Sequence, residues 1–194
     1  MIAALLALVL AAPYTPVAVK NGMTISRRKL DNGLLEVKVE THTALTVKAV
    51  FSVLWNHAEY PKFIKTSKVT KVLADKGKER IVYEQVRIPV VQDRDYTIRG
   101  WYQDDPATGL MQLYWEGADA LGPPENRDHV RIRRTQGSWT LEPTKDGGTD
   151  VTYICASEPG GSVPTWLVAG AQTDAAPEYV SIILSRAKSL TQNP

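Results

Sequence analysis

Glu84 is the lone ionisable residue on an apolar stripe. In the strand-like segment Glu79–Ile88, alternation puts Val82, Glu84, Val86 and Ile88 on one face and Tyr83, Gln85 and Arg87 on the other. In the next such segment Thr97, Arg99 and Trp101 share a face, opposite Tyr96, Ile98 and Gly100. A lone carboxylate in an apolar interior is costly and calls for a partner. If the Thr97 face points inward, Arg99 can be that partner. Such a pair adds little stability over apolar filling, but inside an apolar cavity it can orient a ligand's hydroxyl or head group. The alternatives are a structural ion pair at a cavity floor and an exposed pair, because a one-residue slip in register reverses every face.

Other chemistry is sparse. His42, His57 and His129 are far apart and form no metal-ligand spacing, so no metal site is expected. The chain has no G-x-S-x-G elbow, phosphate-binding loop or dinucleotide fingerprint, and no catalytic residue or cofactor is assigned. Gly160-Gly161 before a helix is a weak anion-site signal. Cys155 lies in a strand-like run with no nucleophile signature and reads as a buried structural thiol. Trp115 shares a face with Met111 and Leu113, Trp139 shares one with Leu141, and Val130 and Ile132 form a further inward pair.

The elements that must position these residues read as follows. Met23–Leu30 and Leu35–Thr43 are strands joined by the turn signal Asp31-Asn32-Gly33. Leu45–Trp55 is helical, with Val47, Val50, Phe51 and Leu54 on one stripe, and Pro61 ends it or opens a short second helix. Strands follow at Lys68–Ala74, Glu79–Ile88, Asp95–Gln103, Leu110–Glu116, His129–Arg134, Gly137–Glu142 and Asp150–Ser157. Gly117–Asp128 is the longest connection without an element, the kind of segment that often forms a lid. Val163–Leu190 is a long C-terminal helix capped by Ser162, with an irregularity expected near Pro177. Strands followed by a segregated helix give an α+β fold, in which a curved antiparallel sheet around one helix encloses a cavity.

Composition sets the bounds. The 194 residues, 43% apolar and 23% charged, suit one globular domain from about Val17 to the end. Lys+Arg 23 against Asp+Glu 21 leaves a net charge of +2 with the signs interspersed, which gives no nucleic-acid footprint. One cysteine excludes an internal disulfide. The first twelve residues, Met1–Ala12, are apolar, too short to span a bilayer and of the length of a signal-peptide core, which predicts a periplasmic or secreted protein. The competing reading is an apolar N-terminal helix of the fold itself.

Four segments in order resemble the START family, the lipid-transfer domains related to the steroidogenic acute regulatory protein. They are Asp93-Arg94-Asp95-Tyr96-Thr97-Ile98-Arg99, Gly137–Pro143, Gly148–Tyr153 and Glu158–Val168. The resemblance implies a helix-grip fold with a hydrophobic tunnel for one lipid. It places Glu84 and Arg99 at the family's buried carboxylate–arginine pair and Gly117–Asp128 at a lid loop. The chain departs from the family in a shorter N-terminus and a shorter Glu84–Arg94 interval. The expected function is non-enzymatic binding and transport of one lipid or sterol-like molecule by a monomer, with transient membrane contact and with lid loop and C-terminal helix as gates. Glu84, Thr97, Arg99, Trp101, Leu113, Trp115, Ile132, Tyr153, Leu167, Ala171 and Ile183 are the expected ligand contacts. The alternatives are an aromatase/cyclase- or hydrolase-like enzyme, with Glu84 or Tyr153 as acid or base, and an interaction module with a filled interior.

Overall fold

The computed structural model describes residues 12–88, 91–161 and 165–192, with side chains in the last stretch from Asp174 onward. The apolar segment read as a signal peptide therefore lies, but for Ala12, outside the described residues.

Turn chemistry sets the first three strands. β1 (Thr15–Lys20) and β2 (Met23–Lys29) are joined by Asn21 and Gly22, at φ 51° and 76°. Both central residues of a type I′ turn need positive φ, which explains the Asn-Gly pair. β1 was not among the expected strands, although that pair signals it. Asn32 accepts from the Leu34 amide at 3.1 Å and Gly33 takes φ 83°, turning β2 into β3 (Leu35–Thr43). Thr46 then caps α1 (Val47–Leu54) by accepting from the Ala49 amide, and Val50, Val53 and Leu54 bury the apolar stripe. A 3₁₀ turn at His57–Glu59 leads into α2 (Tyr60–Phe63), with Pro61 in its first turn, where proline is tolerated.

The remaining strands are β4 (Ser67–Asp75), β5 (Glu79–Val86), β6 (Arg94–Asp104), β7 (Met111–Gly117), β8 (Val130–Arg131), β9 (Thr135–Pro143) and β10 (Thr149–Ser157). Nine of the ten described strands form an antiparallel path, β1-β2-β3-β10-β9-β7-β6-β5-β4, and β8 pairs with β6 in parallel. The strand expected over His129–Arg134 shrinks to Val130–Arg131. The Arg133 and Arg134 amides bond the Glu158 carboxylate at 2.9 and 3.1 Å instead of continuing a ladder.

α3 (Thr165–Gln192) lies against the inner face of the sheet, contacting β2, β3, β10 and α1. It runs through Pro177 without interruption. Val180, Ile183 and Ala187 bury their side chains in a core with Ile25, Val37, Val39, Val50, Trp139, Leu141 and Val151. This is the α+β architecture that the pattern of elements predicts, and the helix-grip fold that the START resemblance implies.

Candidate functional site

Residues directly opposite each other in a ladder share a face, so the pairings trace the inner surface strand by strand. Glu84 faces Tyr96 and Val82 faces Ile98. Gly100 is opposite Trp115 and Tyr102 is opposite Leu113. The same row continues through Leu113–Trp139, Trp139–Tyr153 and Tyr153–Val39. This concave face is aromatic and aliphatic. Trp139 and Tyr153 have ring centroids 4.4 Å apart, Trp115 stacks on Tyr153 at 5.8 Å, and Tyr179 of α3 meets Trp139 and Tyr153 at 5.9 and 5.7 Å. Gly137 makes room for Trp115, since a Cβ there would overlap the indole and the Ile154 carbonyl.

Glu84 brings the one carboxyl to this surface. It is 6% exposed and accepts from the Tyr96 hydroxyl at 2.7 Å. Burial pushes its pKa up to about 7, against the opposing pull of the Tyr96 hydrogen bond. Burial likewise raises Tyr96, Tyr60 and Tyr179, and the neighbouring Glu84 adds to each shift. The Tyr60 hydroxyl donates to the Leu54 carbonyl at 2.7 Å. The site is thus a weak acid among phenols, able to hydrogen-bond a ligand's polar group or hold a proton near neutrality. Burial raises the Cys155 thiol to about 11, so it is no ready nucleophile and keeps the structural reading.

The structure overturns the Glu84–Arg99 pair. Arg99 is opposite Ile81, on the outer face, where it binds Glu79 at 2.6 and 2.9 Å and Glu116 at 3.4 Å. Thr97 and Trp101 share that outer face and leave the ligand-facing set with it. Trp101 stacks on Tyr114 at 5.6 Å with the Arg99 guanidinium over its ring. Thr97 is buried because Gly122 packs against its hydroxyl from outside. The alternation of β6 was correct and the choice of inward face was not. The ladder pairs Glu84 with Tyr96, which makes the Tyr96 face of β6, not the Arg99 face, the inward one.

The Gly117–Asp128 segment also differs from expectation. It is fastened to the outer face, not laid over the concavity. Arg131 binds Asp95 at 2.9 and 3.0 Å, also reaches Asp119, and donates to the Pro123 carbonyl at 3.1 Å. A loop held by a buried guanidinium on the convex side is an anchor, not a lid.

Leu113, Tyr153 and Ile183 are buried on the inner side and Trp115 is half-buried there. Ile132, 8% exposed, lies on the opposite side of its segment from Arg131, beside Gly160. The side chains of Leu167 and Ala171 lie outside the described residues. Tyr60, Tyr96 and Tyr179 join the set, and so does Arg94. Arg94 is 2% exposed, shares the Tyr96 face, and donates to the Pro159 and Gly160 carbonyls at 3.2 Å and to the Gln92 carbonyl. Among the described residues no cluster of His, Cys, Asp and Glu could hold a metal.

Comparison with known proteins places the chain. Residues 43–182 match the family described as polyketide cyclase / dehydrase and lipid transport, and the protein belongs to that family. It is 30% identical over 153 residues to an uncharacterized protein of Pseudomonas aeruginosa, covering 77% of this chain and 71% of the relative. Among solved structures it is similar to the STAR-related lipid transfer protein of Xanthomonas axonopodis (fragment 25-204), at TM-score 0.81 and 23% identity, over 90% of this chain and 98% of that one. Human StAR-related lipid transfer protein 5 matches at TM-score 0.82 and 13% identity, over 92% and 88%. The fold is that of the START domains.

Proposed function

We propose that this protein binds and carries one hydrophobic molecule, lipid or sterol-like, without transforming it. The observation that carries the reading is the inner face itself: a continuous aromatic and aliphatic surface interrupted by one carboxyl with a tyrosine partner. Burial of apolar ligand surface contributes about 25 cal/mol per Å², so a ring system or acyl chain needs few polar contacts for affinity. Glu84 and Tyr96 meet the polar end, while Leu113, Trp115, Trp139, Tyr153, Tyr179 and Ile183 meet the apolar body. Movement of α3 relative to the sheet is the route of exchange, because Arg131 pins the Gly117–Asp128 loop outside. The lipid-transfer names of the structural neighbours support the same direction.

Mass spectrometry of small molecules extracted from natively purified protein tests this. The expected result is a repeatable, stoichiometric hydrophobic compound. Its absence, together with no binding to a lipid panel, overturns the proposal.

One observation favours a second reading. A carboxyl with a pKa of about 7 hydrogen-bonded to a phenol is a serviceable general acid for a cyclase-like reaction, and the family's description includes cyclases. Turnover of a polyketide-like compound that disappears in E84Q would establish it over the carrier.

A further inference from the structure

Among the described residues no cation balances Glu84. Its one hydrogen bond among the described residues comes from Tyr96, and only burial and that bond govern its ionisation. The described groups packed around it are Tyr96 from β6, Tyr60 from α2 and Tyr179 from α3, with Tyr153 and Cys155 of β10 further along the same wall. From β4 its ladder partner is Thr70, which does not titrate. Two guanidiniums share the Glu84–Tyr96 face of β5 and β6, and both are engaged elsewhere: Arg94 donates to the carbonyls of Gln92, Pro159 and Gly160, and Arg80, opposite Gly100, binds Asp75 at 2.9 Å and the Trp55 carbonyl. Residues 89–90 are Pro and Val, and the run from Ser162 to Thr173 contains no Lys, Arg, His, Asp or Glu.

Beside this uncompensated acid stands a wall of π faces. Tyr179 links the two, since its hydroxyl is coupled to Glu84 and its ring meets Trp139 and Tyr153. Aromatic faces and a desolvated carboxylate both attract positive charge, and both penalise an anion. We infer that the polar end of the ligand is a cation, so that the preferred cargo is a hydrophobic amine or quaternary ammonium compound whose charge is set against Glu84. This rests on the carrier reading and specifies its substrate class. An ammonium group supplies from the ligand the positive charge that the chain itself withholds.

The groups around Glu84 allow a clean test. Burial holds the Tyr60, Tyr96, Tyr153 and Tyr179 hydroxyls above their ordinary values, Cys155 rises to about 11, and the nearby His57 falls to about 4. Of these, Glu84 alone changes charge between about pH 5.5 and about pH 8.5. The probes are dodecyltrimethylammonium, dodecanol and dodecanesulfonate, each of fixed charge, titrated calorimetrically at both pH values. Dodecyltrimethylammonium should bind about tenfold more tightly than dodecanol at the higher pH and lose most of that advantage at the lower. The sulfonate should bind most weakly. In E84Q the advantage should vanish while dodecanol still binds. In Y96F it should persist with its midpoint moved to higher pH, since the tyrosine hydrogen bond favours the carboxylate. Equal binding of ammonium and alcohol at both pH values, or an advantage that survives in E84Q, overturns the inference and leaves the carrier intact. If none of the three probes binds, the carrier reading fails and this inference falls with it.

Discussion

Two buried carboxylates, Glu84 and Asp95, sit on adjacent strands of one hairpin and meet opposite electrostatic fates. Glu84 faces the concavity with a phenol for company, and burial pushes it up to about 7. Asp95 faces outward beneath the Gly117–Asp128 loop. Burial raises it too, but the hydrogen bonds from Arg131 and Tyr83 outweigh that and hold it below its ordinary value. Both faces of the sheet are buried here, so exposure does not separate them. What separates them is a guanidinium. The outer face uses its charges to fasten structure, and the inner face leaves one acid unpaired where a ligand would lie.

The comparison breaks most visibly at Arg131, whose side chain is 3% exposed against 2% for Asp95. R131L strands a buried carboxylate and frees the loop, and should cost roughly 3–5 kcal/mol in urea unfolding. Removing the other acid should do the reverse. E84Q deletes a charge that the fold penalises and keeps the shape, so at about pH 8 it should gain on the order of 3 kcal/mol. A loss of stability in E84Q at that pH would mean that the carboxylate is compensated after all.

The pH profile sharpens the point. Glu84 is raised from 4.5 to about 7, so the folded state binds its proton more tightly, and its contribution to stability is lost as pH rises across that window. His57 is lowered from 6.5 to about 4 by burial, chiefly, and by the nearby Arg80, so stability is lost as pH falls across that interval. The two slopes oppose each other between about 4.5 and 6.5. The native protein should be nearly flat there in denaturant midpoints, E84Q should gain stability with rising pH, and H57Q should lose it.

Two smaller effects separate the faces further. G137A forces a Cβ against Trp115 and should cost roughly 1–3 kcal/mol while weakening hydrophobic ligands through the displaced indole. R99L, on the outer face with both its acidic partners exposed or half-buried, should leave ligand affinity unchanged. A selective loss for polar-ended ligands in R99L would return Arg99 to the site.

Much of this molecule was written in its chain. The alternation of β3, β5 and β6, the Asn-Gly and Asn32-Gly33 turns, the Thr46 cap and the long apolar helix after Gly160-Gly161 are local signals, because backbone sterics and side-chain period act over a few residues. The alternation, the Asp31-Asn32-Gly33 turn and the long helix sufficed for the α+β class and for Glu84 as the acid on an apolar stripe, while the helix-grip fold followed from the START resemblance. They did not suffice for its partner. Which face of β6 turns inward depends on how β5 pairs with β6 and how β8, from 36 residues further along, lays Arg131 against Asp95. Those are contacts between segments distant in sequence, and alternation alone treats both faces alike. Packing assigned Arg99 to water and Tyr96 to Glu84, because a charged side chain settles where its counter-charges and solvent are.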